Sequence, residues 1–381
     1  MGNYNSYSTF VGMDVHARSI SASGICPKTG EHFSHRFTDC PAPSQVAEWL
    51  FSLPQPLYCA YESGCCGFSL ARELRQLGID CDVIAVSTLP RSVKDKQRKC
   101  DKLDAKAIMR EIVNPVHEYS TVWIPGKEIE AARDLVRIHK IAVDNAKKAK
   151  HRLSMFLQRH GYVWNEKTKK GNLKKTWTRL YTTWLDSIVL DEQAAQIAFD
   201  AYRRQVLDAV AEVKKLEEEV ERIALSDANR PYVIALMRLF GIDTLTAMLL
   251  RAEFGSFSRF ASGRQVTCWV GTVPKDNSSG EKEAHGRITK AGDKYVRRAL
   301  VEGVGGISMW KGRRKKIAYP DEVSGAVQSI ADAGNARLVA RYRYLTERGL
   351  HSNKAKVAVA SELARWIWVI GLQVERELET A

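Results

Sequence analysis

The eight cysteines, at positions 26, 40, 59, 65, 66, 81, 100 and 268, form no CxxC pair and no histidine–cysteine cluster at zinc spacing. That argues against a zinc module or a disulfide scaffold, and the thiols are expected to be reduced, in a cytosolic protein. Nothing at the N-terminus has the character of a signal peptide. Long apolar runs are scarce as well. The longest near the C-terminal end, "WIWVIGLQV" (366–374), is too short to cross a bilayer, and Glu362 and Arg365 precede it in the same helical pattern, so no membrane role is expected. Acid is the minority charge. Asp and Glu number 44 against 58 Lys and Arg, a net +14 that favours a polyanionic partner, nucleic acid before membrane. At 381 residues and 45% hydrophobic content, the chain is long enough for two or more domains and apolar enough for a sizeable core.

Three short segments, "STFVGMDV" (8–15), "SISASGIC" (19–26) and "HFSHRFT" (32–38), read as strands of a meander. A helix follows at about 43–53, then strand "LYCAYE" (57–62), a helix over 67–77, strand "CDVIAV" (81–86), a basic loop and a helix beginning near Asp101. The order βββαβαβα is that of the ribonuclease H-like fold. From about 127 to 228 the pattern turns helical. Phe199, Tyr202, Val206, Ala209, Val213, Leu216, Val220 and Ile223 alternate steps of three and four, a coiled-coil seam of more than three heptads. A first long helix (about 128–160) can be its antiparallel partner, joined through the basic, Trp-containing "WNEKTKKGNLKKTW". The heptads fit an intramolecular hairpin and an intermolecular coil equally. Beyond about 230, two short helices hinged at Gly241 resemble a helix-hairpin-helix, and a helical stretch over 353–371 closes the chain.

Four acids stand at telling places: Asp14 in the first strand, Glu62 at the end of the fourth, and Asp101 with Asp104 at the start of the last helix of this βα array. In a ribonuclease H-like sheet these points converge, and residues i and i+3 of a helix share a face. Clustered carboxylates repel unless cations neutralise them, and hard oxygen ligands suit Mg²⁺ or Mn²⁺. Paired ions of that kind polarise a scissile phosphate. Lys94, Lys96, Arg98 and Lys99, just before Asp101, are suited to holding a DNA backbone. The bland alternative for Asp101 and Asp104 is a favourable pairing with the helix dipole. Asp14, in an otherwise apolar strand, resists such an explanation, because an unpaired buried carboxylate is costly. His16 reads as a strand-end surface residue.

Downstream, "DNSSGEKEAHGRITKAGDKYVRRAL" places Ser278 and Ser279 beside Gly280 on a turn, with Arg287, Lys290, Lys294, Arg297 and Arg298 able to surround a phosphate. From residues alone the Ser-Ser-Gly is an exposed turn, and His285 is the sole nearby candidate base.

"GMDVH", "YESG", "KCDKLDA" and the segment "LFGIDTLTAMLL…FSRFASGRQVTCWVGTVPKDNSSGEKEAHGRITKAGDKYVRRAL" together resemble the DEDD transposases of bacterial insertion sequences, the IS-one-ten family. The resemblance covers both globular parts. "ESGCCGF" is similar to the IS-eleven-eleven group, which has Cys after the acid. It implies an α/β plus α architecture with a RuvC-like N-terminal domain (1–125), a coiled-coil middle (126–229) and a C-terminal transposase domain with a serine loop (230–381). It further implies Asp14, Glu62, Asp101 and Asp104 as a Mg²⁺-binding DEDD set and Ser279 as a nucleophile that takes a DNA phosphate covalently, with Ser278 one position away. Donor and target duplex DNA, a non-coding bridge RNA and a homodimer pairing into a tetramer are the implied partners, in the bacterial cytoplasm and nucleoid. The "KTKKGNLKK" insertion is longer than the family pattern and reads as an extra RNA or DNA contact. "WKGRRKKIAYPDE" (310–322) is read equally well as a solvated loop or as a contact. Two other functions remain: a RuvC-like nuclease that hydrolyses branched DNA without a covalent intermediate, and a non-catalytic nucleic-acid-binding protein.

Overall fold

The computed structural model describes residues 6–85, 101–114, 119–276, 285–308 and 318–380, without the side chains of 101–103, 276 and 285. The chain divides into two compact units, Met1–Pro125 and Gly126–Ala381.

The first unit is a mixed five-stranded sheet. Its strands are β1 (Thr9–Val15), β2 (Ile20–Cys26), β3 (Glu31–Phe37), β4 (Leu57–Glu62) and β5 (Asp80–Ile84), in the spatial order β3-β2-β1-β4-β5. β1, β2 and β3 pair antiparallel, while β4 and β5 run parallel to β1. Sequence explains the placement: β1 is apolar on both faces and lies central, whereas β3, "EHFSHRF", is polar and takes the edge. At the other edge the chain returns beside β5, with Ala85 N–H donating to Ser120 O (2.9 Å) and Val122 N–H to Val83 O (2.7 Å).

Strand alternation sorts the two faces. Val11, Met13, Cys59 and Tyr61 point to one side and pack with Val46 and Leu50 of α1 (Pro43–Phe51) and Leu70 and Leu74 of α2 (Ser69–Gln76). Phe10, Tyr58, Ala60 and Ile84 point to the other and pack with Ile108 and Ile112 of α3 (Asp101–Val113). Gly12 belongs to this second face. A Cβ there would collide with backbone atoms of Ala105 and Met109, so α3 lies directly on the β1 backbone. Only glycine permits that approach.

The second unit is mostly helical. α4 (Lys127–Arg159) and α6 (Gln193–Ala224) pack antiparallel: Ala132 and Val136 meet Val220 and Ala224 in one cluster, while Leu153 and Phe156 meet Phe199 and Val206 in another. Small residues on the buried stripe of α4, Ala142, Ala146 and Ala149, allow close contact, and the short helix α5 (Arg179–Asp186) packs at the far end. The first of those clusters continues without a break into α7 (Arg230–Leu236), α8 (Thr244–Phe254), α9 (Gly263–Val270), α10 (Lys294–Ser308), α11 (Gly325–Glu347) and α12 (Ser352–Thr380). The end of the α4/α6 pair that holds Ala132 and Ala224 therefore shares its core with 230–381, while the cluster around Leu153 and Phe199 is separate. α7 and α8 are hinged at Gly241 (φ +76°), whose missing side chain leaves room for the backbone of Gly303 on α10. α12 is longer than the 353–371 stretch expected and reaches membrane-spanning length. Val359, Leu363, Ile367, Ile370 and Val374 on one of its faces are nevertheless buried in the helical core. Between α9 and α10 two short strands not expected from the sequence, β6 (Pro274–Asp276) and β7 (His285–Ile288), pair antiparallel. The seven cysteines among the described residues are all free thiols.

Gly12→Ala is expected to cost roughly 1–3 kcal/mol, the usual penalty of overpacking, measured by urea unfolding of the full chain. An unchanged midpoint would show that α3 does not lie on β1 at this point.

Candidate active site

Asp14 and Glu62 end neighbouring strands. Met13 lies opposite Tyr61 in the parallel register, so Asp14 and Glu62 are the next residues along β1 and β4. Each is two residues beyond a member of the α3 face, Asp14 after Gly12 and Glu62 after Ala60, so both stand on the face that α3 covers.

The direction of α3 decides where its own acids lie. Ile108 and Ile112 pack near Phe10 and Tyr58 at the start of the strands, and Ala105 and Met109 sit over Gly12, so α3 runs antiparallel to β1. Asp14 lies about 6.6 Å past Gly12 along the strand. At about 1.5 Å per residue, the same distance back along α3 reaches the turn from Asp101 to Asp104. Asp104 precedes Ile108 by one turn and continues the row that packs on the sheet. Asp104 itself is exposed. Among the described residues no group of three or more His, Cys, Asp or Glu is gathered as a metal site, a statement that does not extend to the undescribed Asp101 side chain.

Two further side chains meet this corner. His16 Nε2 lies 3.2 Å from Asp14 Oδ2, with the Asp14 side chain 17% exposed and that of His16 51%. His16 is thus paired with the first acid rather than only ending a strand, and the signal was the i, i+2 spacing, which puts both on one face. Cys66, in the loop after Glu62, donates its thiol to Val15 O (3.4 Å). Burial pushes that thiol's pKa up, and Cys65 and Asp14 add to it. The vicinal cysteines were visible in sequence, but their reach across to β1 was not.

Ser278 and Ser279 lie outside the described residues, as do Lys94, Lys96, Arg98 and Lys99 and residues 310–317. Around the serine segment, β6 and β7 bring its two ends together. Arg287, Lys290 and Lys294 are exposed. Arg297 and Arg298 are engaged within the fold. Arg297 Nη1 donates to Val270 O (2.8 Å), while Arg298 grips Asp144 (2.9–3.1 Å) and Glu302 (2.9 Å). Those guanidiniums tie α10 to α4 and α9.

Asp293 caps α10, accepting from Tyr295 N–H (2.8 Å) and Val296 N–H (2.9 Å). It also lies 3.8 Å from Arg137, which forms a two-pronged pair with Glu253 (2.7 and 2.8 Å), and Arg133 approaches Glu253 at 3.3 Å. Glu253 is 1% exposed. This network joins α4, α8 and the start of α10, just after the serine segment.

Comparison with known proteins gives the class first. The chain is 33% identical over 326 residues to a putative transposase, y4qE, of Sinorhizobium fredii, across 84% of this chain and 76% of the relative. It is 28% identical over 265 residues to the transposase for insertion sequence element IS1533 of Leptospira borgpetersenii, covering 68% and 72% of the two chains. Over 303 residues it is 24% identical to the transposase for insertion sequence element IS1111A of Coxiella burnetii, covering 78% and 73%. The profile described as Transposase IS116/IS110/IS902 family matches residues 234–319. The chain belongs to this family of transposases, enzymes that cut and rejoin DNA.

Burial pushes the Glu253 carboxyl up to about 7 from the ordinary 4.5, and the bond from Arg137 offsets this only in part. The folded chain then holds a proton that the unfolded chain releases near 4.5. Its stabilisation is complete below about pH 4.5 and is lost as pH rises through 7. The stability of the wild type relative to Glu253→Gln should fall by up to ~3 kcal/mol between pH 4.5 and 8 in urea unfolding. A difference that stays flat would mean that the two arginines keep Glu253 ionised throughout.

Proposed function

We propose that this transposase excises and integrates an insertion sequence through two cooperating centres: an Mg²⁺-binding carboxylate set, Asp14, Glu62, Asp101 and Asp104, and the nucleophile Ser279. The observation that carries the first centre is the docking of α3 on Gly12, which brings the helix start to the strand-end face holding Asp14 and Glu62. The sheet order β3-β2-β1-β4-β5 supports a RuvC-like assignment for this unit. The donor set fits the ion. Carboxylate oxygens are the hard ligands that Mg²⁺ or Mn²⁺ prefers, and they stand at the end of an apolar sheet face that fixes their backbones. When bound, the ion supplies charge stabilisation at the scissile phosphate. Asp14 is held in place by His16, and Glu62 by its strand.

In the second centre, Ser279 Oγ forms a bond to phosphorus and gives up its proton, and the departing sugar oxygen takes up a proton as its bond to phosphorus breaks. The residues flanking the segment contribute cations, with Arg287, Lys290 and Lys294 the exposed ones. The Glu253 network holds the following helix in place. In this proposal a bridge RNA selects donor and target DNA, and the acids and serine that meet belong to different subunits of a tetramer. The protein works in the bacterial cytoplasm.

Asp14→Asn should retain DNA binding and lose strand cleavage by roughly 10² to 10³-fold or more, a loss of several kcal/mol of charge stabilisation. Ser279→Ala should abolish the denaturant-stable protein–DNA adduct seen on gels after incubation with Mg²⁺, bridge RNA and junction DNA. Cleavage without an adduct in the wild type would identify a hydrolytic nuclease. An adduct that survives in Ser279→Ala and is lost in Ser278→Ala would move the nucleophile by one position.

A further inference from the structure

The charge excess of the chain is not shared between its units. Residues 1–125 carry thirteen Lys and Arg and thirteen Asp and Glu, so the whole +14 belongs to residues 126–381. Within the second unit, the segment from Lys140 to Arg179 holds twelve basic residues and two acids. It runs along the later half of α4 and through the connection toward α5.

That connection is a built element. Lys167 and Leu173 form an antiparallel bridge, Thr168 N–H donates to Asn172 O (2.7 Å), Gly171 N–H to Thr168 O (2.9 Å) and Lys174 N–H to Glu166 O (2.7 Å). Gly171, at φ +80°, makes the turn. The result is a short hairpin finger with Lys167, Lys169, Lys170 and Lys175 exposed. Its base is an aromatic cluster in which Tyr181 lies 5.1–5.2 Å from the rings of Trp164, Trp177 and Trp184, Trp164 lies 5.4 Å from Trp184, and Trp164 Nε1 donates to Lys174 O (3.0 Å). Lys150 of α4 stands 5.1 Å over the Trp177 ring and fastens the base to the long helix. A solvated charge run needs none of this framework.

We propose that the finger at 165–175 is a clamp for the sugar-phosphate backbone of duplex DNA, outside the carboxylate and serine centres. Four exposed ammonium groups on a hydrogen-bonded turn match a row of phosphates, and lysine, as a point charge, contacts phosphate without reading bases. DNA is the polyanion on which the family acts. The aromatics are engaged in the base, which leaves the tip charged and blind to sequence.

The test is equilibrium binding of the full chain to a labelled DNA duplex of arbitrary sequence, across a salt series. Lys169→Ala/Lys170→Ala should lower the slope of log K against log [salt] by about 1.8, since each lost phosphate contact removes about 0.9. The loss should be equal on an unrelated sequence. Lys214→Ala/Lys215→Ala removes the same charge from an exposed stretch of α6 and should leave the slope unchanged. Both pairs are exposed, so thermal melting should be unaffected in each. An unchanged slope in the finger variant, an equal fall in both variants, or a loss confined to duplex RNA would each overturn the proposal.

Discussion

A missing side chain organises the N-terminal unit. At Gly12 the backbone of β1 touches the backbone of α3, and this approach sets how closely the helix lies on the sheet. Ala105 and Met109 are held over the strand, Ile108 and Ile112 fall into the apolar floor formed by Phe10, Tyr58 and Ala60, and the helix start is carried to the strand ends. The same face then changes character within two residues, from Gly12 to Asp14 on β1 and from Ala60 to Glu62 on β4. Both acids are part-buried there, at the end of an apolar face.

The second unit is organised by ions placed in an apolar core. Glu253 is buried among residues that could not tolerate a lone charge, and Arg137 and Arg133 reach it from α4 while Asp293 extends the network to α10. A charge of this kind is costly unless its partners are fixed, so the network ties the three helices to one geometry. Arg298 adds a second link between α10 and α4 through Asp144, and these links cross beside the core that one end of the α4/α6 pair shares with 230–381. The long helical pair is thus built into the C-terminal fold at one end, while its other end carries the basic finger.

Much of the architecture was readable before any coordinates. Alternation and continuous apolar runs placed β1 to β5 within a residue or two, because a central strand has to be apolar on both faces. The heptads placed α6 and the first long helix was read at 128–160, but the heptads left open whether α6 pairs within the chain or with another copy, and the packing on α4 is what the structure adds. Less readable were the elements that owe their form to long-range contact. The strands β6 and β7 are too short for periodicity and exist as each other's partners. α11 carries Gly325 and Gly334 and many polar residues, and its stripe is weak until α12 covers it. The partners of Arg297 and Arg298 at Val270, Asp144 and Glu302 lie 4 to 154 residues away in sequence and were not readable from it.

By itself the sequence determined which residues could carry the chemistry. An aspartate inside an apolar strand is a choice that local stability does not reward, whereas an aspartate pair opening a helix is one that the helix dipole favours. What only the tertiary structure decided is which of them come together. Register on β1 and β4 made Asp14 and Glu62 neighbours, the close approach at Gly12 set the direction and depth of α3, and the loop after Glu62 folded Cys66 back onto Val15. Identity is a property of positions along the chain, whereas proximity depends on backbone contacts between elements far apart in sequence. Side-chain patterns record such contacts only through the gaps they leave, as at Gly12.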